Sequence, residues 1–209
     1  EKGVLIVEPE VSVKAEYEKK ISAIEAQKEK LAVFRDKKGV TAAGTHIELT
    51  ANAGTVAEID AVLEHNADGI GLFRTEFLFM ENPEHIPTES EQFNSYKTIL
   101  TKMGKKPVVF RTLDAGGDKN IAALGIPKEE NPFLGWRGIR FCLDNKDFFY
   151  TQLRALFRSS TEGKLHIMFP MITEEEEVRR FCAIVSEIKN DLDARRIPYG
   201  KDVQIGIMI

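Results

Sequence analysis

The stretch Gly69-Ile70-Gly71-Leu72-Phe73-Arg74-Thr75-Glu76-Phe77 decides how the chain is read. An apolar run of strand length ends on an arginine, and polar residues follow at once. The same device recurs at Val108-Val109-Phe110-Arg111-Thr112-Leu113-Asp114, which runs on into Ala115-Gly116-Gly117-Asp118-Lys119. A third arginine sits in a glycine-bearing turn, Asn131-Pro132-Phe133-Leu134-Gly135-Trp136-Arg137-Gly138-Ile139-Arg140. The first two runs are nearly continuous in apolar residues, as expected of parallel strands buried on both faces.

Outward from these segments the alternation continues. Strand-like runs are expected at 47–51, 69–73, 107–112, 165–171 and 203–209. Helices between them announce their starts: Thr55 with Glu58, Thr88 with Glu91 and Thr173 with Glu176 have the spacing of a reciprocal cap. Val178, Phe181, Ile184, Val185, Ile188 and Leu192 give the last helix an apolar face, and Glu174 to Glu177 suit its N-terminus. Phe148, Leu153, Leu156 and Phe157 do the same for a helix near 145–160. Strands alternating with helices imply a parallel sheet with right-handed crossovers. A doubly wound sheet and a barrel both satisfy that pattern. A closed barrel needs eight strands and typically about 250 residues, so a barrel here would be unfinished.

The N-terminal part reads differently. Residues 3–7, GVLIV, suggest a short strand. A long polar helix is expected over 11–38, with Tyr17, Ile21, Ile24 and Leu31 as a narrow apolar stripe, and Gly39 stops it. A boundary belongs near 38–45.

Composition narrows the function classes. The chain has 209 residues, 43% of them apolar, and a formal net charge of -4. Mild acidity argues against nucleic acid as the partner, although a local basic site is compatible with it. No apolar run is long enough for membrane insertion, and no secretory signal opens the chain. Cys142 and Cys182 make neither a disulfide framework nor a metal knuckle, which suits reduced thiols in the cytoplasm.

Arg74 and Arg111 fall where ligands bind in parallel α/β folds, at the carboxyl ends of neighbouring strands. Guanidinium grips phosphate or carboxylate with two prongs and keeps its charge. Converging arginines suit a small multiply charged anion. The structural alternative is ion pairing, for which Glu76, Asp114 and Asp118 are available. Gly116 and Gly117 are either a plain turn or a backbone cradle for phosphate. His46, His65, His85 and His166 stand in no metal-binding pair, and no serine elbow or P-loop is present.

Taken in order, GIGLFRTEFLFM, FRTLDAGGDK and ENPFLGWRGIR resemble the signatures of enzyme I of the bacterial sugar phosphotransferase system, the phosphoenolpyruvate–protein phosphotransferase family. The resemblance covers essentially the whole chain. It implies a (β/α)8 TIM-barrel fold cut to about its first five strands and preceded by a linker helix. Residues 1–8 would be a remnant of the phosphohistidine domain, 9–40 the linker and 41–209 the partial phosphoenolpyruvate-binding barrel. It implies binding of phosphoenolpyruvate and Mg2+, a cytoplasmic homodimer, and phosphoryl transfer to a histidine on another domain and on to HPr for sugar uptake. Arg74, Arg111 and Arg137 take the family's substrate-binding positions, with Asp114 and Lys119 as weaker members.

The active histidine's segment, the metal carboxylates and the catalytic cysteine of the family have no counterpart in 1–209, so these residues alone are expected to be inactive. Pyruvate phosphate dikinase and phosphoenolpyruvate synthase share an Arg-x-Glu strand end and an Asn-Pro-x-Leu-Gly segment, and are the alternative. A non-catalytic anion- or partner-binding module is a third reading, since an open sheet leaves bare edges.

Overall fold

The computed structural model describes residues 3–82, 84–116, 119, 121–131, 133 and 135–209. Gly117, Asp118, Pro132 and Leu134 of the motifs above therefore lie outside the described residues. The chain divides into two compact units, Glu1–Glu48 and Leu49–Ile209.

The first unit holds helix α1, Val11–Ala32, none of whose residues is buried. It ends earlier than the expected 38, because the backbone turns through bonds from the Phe34 and Arg35 amides to the carbonyls of Leu31 and Ala32. The stripe of Tyr17, Ile21, Ile24 and Leu31 is half-exposed. Residues 3–7 do not form the expected strand. Apolar character alone does not make one: backbone groups need a neighbouring strand, and none pairs with 3–7 among the described residues.

The second unit is a parallel five-stranded sheet in the order β1-β2-β3-β4-β5. The strands are β1 Thr50–Ala53, β2 Gly69–Arg74, β3 Val108–Arg111, β4 Leu165–Phe169 and β5 Gln204–Ile207. Between them lie α2 Ile59–Glu64, α3 Glu76–Met80, α4 Glu89–Met103, α5 Ile139–Asp144, α6 Lys146–Ser159 and α7 Glu175–Ala194. Each strand neighbours the next one in sequence. A doubly wound sheet reverses its order at a switch point. The strictly sequential order found here is that of a TIM-type barrel's first five strands.

The core lies between the sheet and its helices. Phe73 and Phe110 meet at 5.1 Å, and Tyr96 of α4 closes edge-on over Phe110 at 5.1 Å. Phe169 stacks on Phe181 of α7 at 4.1 Å. Side chains alternate along a strand. With Phe73 and Phe110 turned to the helices, Arg74 and Arg111 fall on the opposite face. The two edge strands depart from expectation. All four residues of β5 are exposed and β1 is only partly covered, because an apolar run is buried only where a neighbour covers it.

Two of the three caps form where expected. Thr88 Oγ1 accepts from the Glu91 amide while the Glu91 carboxylate accepts from the Thr88 amide at 2.7 Å. Glu58 accepts from the Gly54 and Thr55 amides at 2.6 and 3.1 Å. The third shifts by one residue. Glu174 rather than Thr173 caps α7, and Glu177 rather than Glu176 reaches back to the Thr173 and Glu174 amides at 2.8 and 3.0 Å. A run of four glutamates offers several registers, and the backbone's entry selects one. Among the described residues no helix is long and apolar enough to cross a membrane.

Candidate functional site

Arg74 closes β2 and Arg111 closes β3, and the two are register partners across the sheet. The loops after these strands bring in the other members. Asp114 follows β3 by three residues, and its carboxylate receives Arg111 Nη1 at 2.9 Å and Arg137 Nε at 2.9 Å. Glu76 opens α3 and is only 1% exposed. Its Oε1 is shared between Arg111 Nη2 and Lys119 Nζ, the latter at 3.0 Å. Lys119 also donates to the Asp114 carbonyl at 2.7 Å, and its amide closes a turn onto the Gly116 carbonyl at 3.1 Å.

Four of the five expected residues, Arg111, Arg137, Asp114 and Lys119, thus form one bonded cluster, and Glu76 completes it. Arg74 differs. Among the described residues it makes no ion pair, and its guanidinium lies over the Phe77 ring at 5.1 Å. Glu58 faces it from the β1 side. That carboxyl is held below its ordinary range by the Gly54 and Thr55 amides, with a smaller contribution from Arg74. Among the described residues the ion-pairing alternative therefore applies to Arg111 and Arg137 but not to Arg74. Asp118, the other partner considered, lies outside the described residues.

Polar atoms left over show what the site lacks. Arg74 Nε, Arg111 Nε, Thr112 Oγ1 and Glu76 Oε2 are buried with no partner among the described residues. Buried polar atoms are rarely orphaned in a finished structure. Two of these, Arg74 Nε and Arg111 Nε, are donors on register-paired strand ends. Among the described residues four cations, Arg74, Arg111, Arg137 and Lys119, stand with three carboxylates, Glu76, Asp114 and the more distant Glu58. In a partly buried site such a surplus favours an anion.

Local backbone keeps Arg137 in place. Gly138, which follows it and precedes α5, has φ 57° and ψ -130°. A Cβ there would meet Met171 Cγ at 3.1 Å and Asp114 Oδ1 at 3.4 Å. Met171 itself has φ 63°, an uncommon value for a non-glycine residue, just beyond β4. Trp136 donates Nε1 to Asp144 at 2.8 Å and packs on Phe141.

Cys142 is buried near the cluster, and burial, then Asp114 and Glu76, push its thiol up. It is therefore an inert thiol rather than a nucleophile. Among the described residues no three His, Cys, Asp or Glu side chains gather as metal ligands.

Residues that motif reading passed over lie behind the cluster. Thr75, Gln92, Tyr96 and Gln152 are each 0% exposed and hydrogen-bonded to one another in series. The only sequence signal for them is polar residues on the inward faces of α4 and α6.

Comparison with known proteins gives the family. Residues 28–209 match the family model described as PEP-utilising enzyme, PEP-binding domain. The chain is 50% identical over 208 residues to a phosphoenolpyruvate-protein phosphotransferase of Priestia megaterium, covering 99% of this chain and 36% of the relative. It is 48% identical over 207 residues to the protein of that name from Geobacillus stearothermophilus and 46% identical over 207 to that from Bacillus subtilis, with the same coverage. The chain spans 36% of the length of these relatives. With the family model covering most of its residues, the chain belongs to the PEP-utilising enzymes, within their PEP-binding domain.

Proposed function

We propose that the cluster at the carboxyl ends of β2 and β3 binds phosphoenolpyruvate, within a phosphotransferase that passes the phosphoryl group to a histidine and on to HPr for sugar uptake. The observation that carries this reading is Arg74, a cation with a buried orphan Nε beside the paired Arg111. Phosphoenolpyruvate carries a phosphate and a carboxylate a few bonds apart. Arg74, Arg111, Arg137 and Lys119 supply cations for both, and the Arg74 Nε and Arg111 Nε donors supply directional bonds.

Transfer breaks the bond between phosphorus and the enol oxygen, whose electron pair stays on the departing enolate of pyruvate. Charge is spread over the phosphoryl oxygens while the bond breaks. Fixed cations aimed at those oxygens stabilise that distribution without reorganising. The acceptor histidine, HPr and a homodimeric partner belong to this reading through the motif resemblance alone; the relatives' names give only phosphotransfer from phosphoenolpyruvate to a protein. A cytoplasmic location belongs to it too, and the free thiols of Cys142 and Cys182 support a reducing compartment.

Mg2+ is part of the same proposal. Glu76 and Asp114 are the carboxylates of the cluster, and both are engaged by arginine or lysine. They do not make a Mg2+ cage by themselves, so no step is derived through the metal.

The reading is tested by titrating phosphoenolpyruvate against Trp136 fluorescence, with pyruvate and inorganic phosphate as controls and circular dichroism to verify folding. A saturable change specific to phosphoenolpyruvate and lost in Arg74→Ala is expected. A folded protein whose signal responds equally to all three anions contradicts it.

A further inference from the structure

Gln152 is buried in α6 and, among the described residues, bonds to none of the cluster's charged side chains, yet it touches the segments that follow both arginine-bearing strand ends. Its Oε1 accepts from the Leu113 amide at 3.0 Å. Its Nε2 donates to Thr75 Oγ1 at 3.2 Å and lies 3.5 Å from the Tyr96 hydroxyl. Thr75 Oγ1 donates onward to the Arg111 carbonyl at 2.9 Å, and Tyr96 donates to Gln92 Oε1 at 3.1 Å. Gln92 Nε2 ends the series on the Pro87 carbonyl at 2.8 Å.

The direction of every bond in this series is fixed. The Leu113 amide can only donate, so the Gln152 oxygen must face it and the Gln152 NH2 must face Thr75 and Tyr96. Thr75 must then accept from Gln152, which leaves its own hydrogen for the Arg111 carbonyl. Tyr96 likewise accepts from Gln152 and spends its hydrogen on Gln92. Backbone groups terminate the series at both ends. Thr75 lies between Arg74 and Glu76, and Leu113 between Arg111 and Asp114.

We infer that Gln152 is a positioning residue for anion binding: it locks the β2 and β3 ends to each other, and so fixes Arg74 and Glu76 relative to Arg111 and Asp114. This rests on the proposed phosphoenolpyruvate site. The series acts through the charged side chains proposed to hold the ligand. Its effect is on the spacing of groups whose misplacement by a fraction of an ångström weakens binding.

The test compares Gln152→Leu, Thr75→Val and Thr75→Ser with Leu156→Ala, a core change on the same helix outside the series. Two quantities are read: the phosphoenolpyruvate Kd by calorimetry, and hydrogen exchange of the Leu113 amide with the Arg111 Nε–H resonance by NMR. Gln152→Leu and Thr75→Val are expected to raise Kd about tenfold, and Gln152→Leu to release the Leu113 amide. Thr75→Ser, which keeps the hydroxyl, and Leu156→Ala, which only lowers stability, are expected to keep the parent Kd. Unchanged Kd in folded Gln152→Leu overturns the inference. If Gln152→Leu fails to fold, the Thr75→Val and Thr75→Ser pair decides alone, and equal Kd values for the two overturn it. If the parent chain itself does not bind phosphoenolpyruvate, the proposed function fails. The exchange data then decide whether Gln152 locks the strand ends, and equal protection of Leu113 in parent and Gln152→Leu overturns it.

Discussion

Arg74 stands directly across from Arg111 on the neighbouring parallel strand, and the two have opposite circumstances. Arg111 is held by Glu76 and Asp114, whereas Arg74 has no ion pair among the described residues and leans on Phe77. Two like charges in register repel. Carboxylates quench one of them, and the other keeps its capacity for a ligand.

That asymmetry predicts different costs for the two truncations. Arg111→Ala leaves Glu76 buried with Lys119 alone and takes one of two partners from Asp114. Breaking a buried pair is expected to cost about 3 kcal/mol. Arg74→Ala orphans no buried carboxylate and is expected to change stability by less than about 0.5 kcal/mol, while reducing phosphoenolpyruvate affinity. Urea unfolding of both variants checks the first difference, and calorimetry the second. Equal destabilisation would contradict the account.

Gly138 supplies a second prediction. Its φ of 57° with ψ of -130° lies where side-chain-bearing residues are strained, and a Cβ would crowd Met171 and Asp114. Gly138→Ala is expected to cost about 1–3 kcal/mol and to weaken anion binding by shifting Arg137, its neighbour in the chain. Thermal unfolding and a phosphoenolpyruvate titration measure the two effects.

The α4 cap predicts a pH dependence. Backbone and hydroxyl bonds from Thr88, then His85, lower the Glu91 carboxyl from 4.5 to about 2. A depressed carboxyl stabilises the fold fully above its unfolded value. That contribution fades as pH falls from about 4.5 towards 2. Parent protein and Glu91→Gln are therefore expected to differ in stability at neutral pH and to converge as pH approaches 2. Urea unfolding across that range checks it; a gap that persists at the acid end would contradict it.

The sequence made the strand ends legible because an apolar run closing on arginine has one natural place in a parallel sheet. It could not say which carboxylate meets which arginine. Asp114 serves Arg111 three residues away and also Arg137 from a different loop, a pairing that only the folded path of 114–137 creates. Gln152 was invisible for the same reason, since its partners are 39 and 77 positions distant in the chain. Residues 3–7 and β5 failed in the other direction. The first looked like a short strand and the second like a buried one, but pairing and burial depend on neighbours that periodicity does not report.

The most direct test follows the side-chain Nε–H resonances of Arg74 and Arg111 by NMR as phosphoenolpyruvate is added. Both groups are buried and unpartnered among the described residues, so a bound anion should reach them. The account predicts that both signals move together and saturate, and that pyruvate does not reproduce the change. A folded protein in which phosphoenolpyruvate leaves both resonances where they were would contradict the claim that this cluster is its binding site.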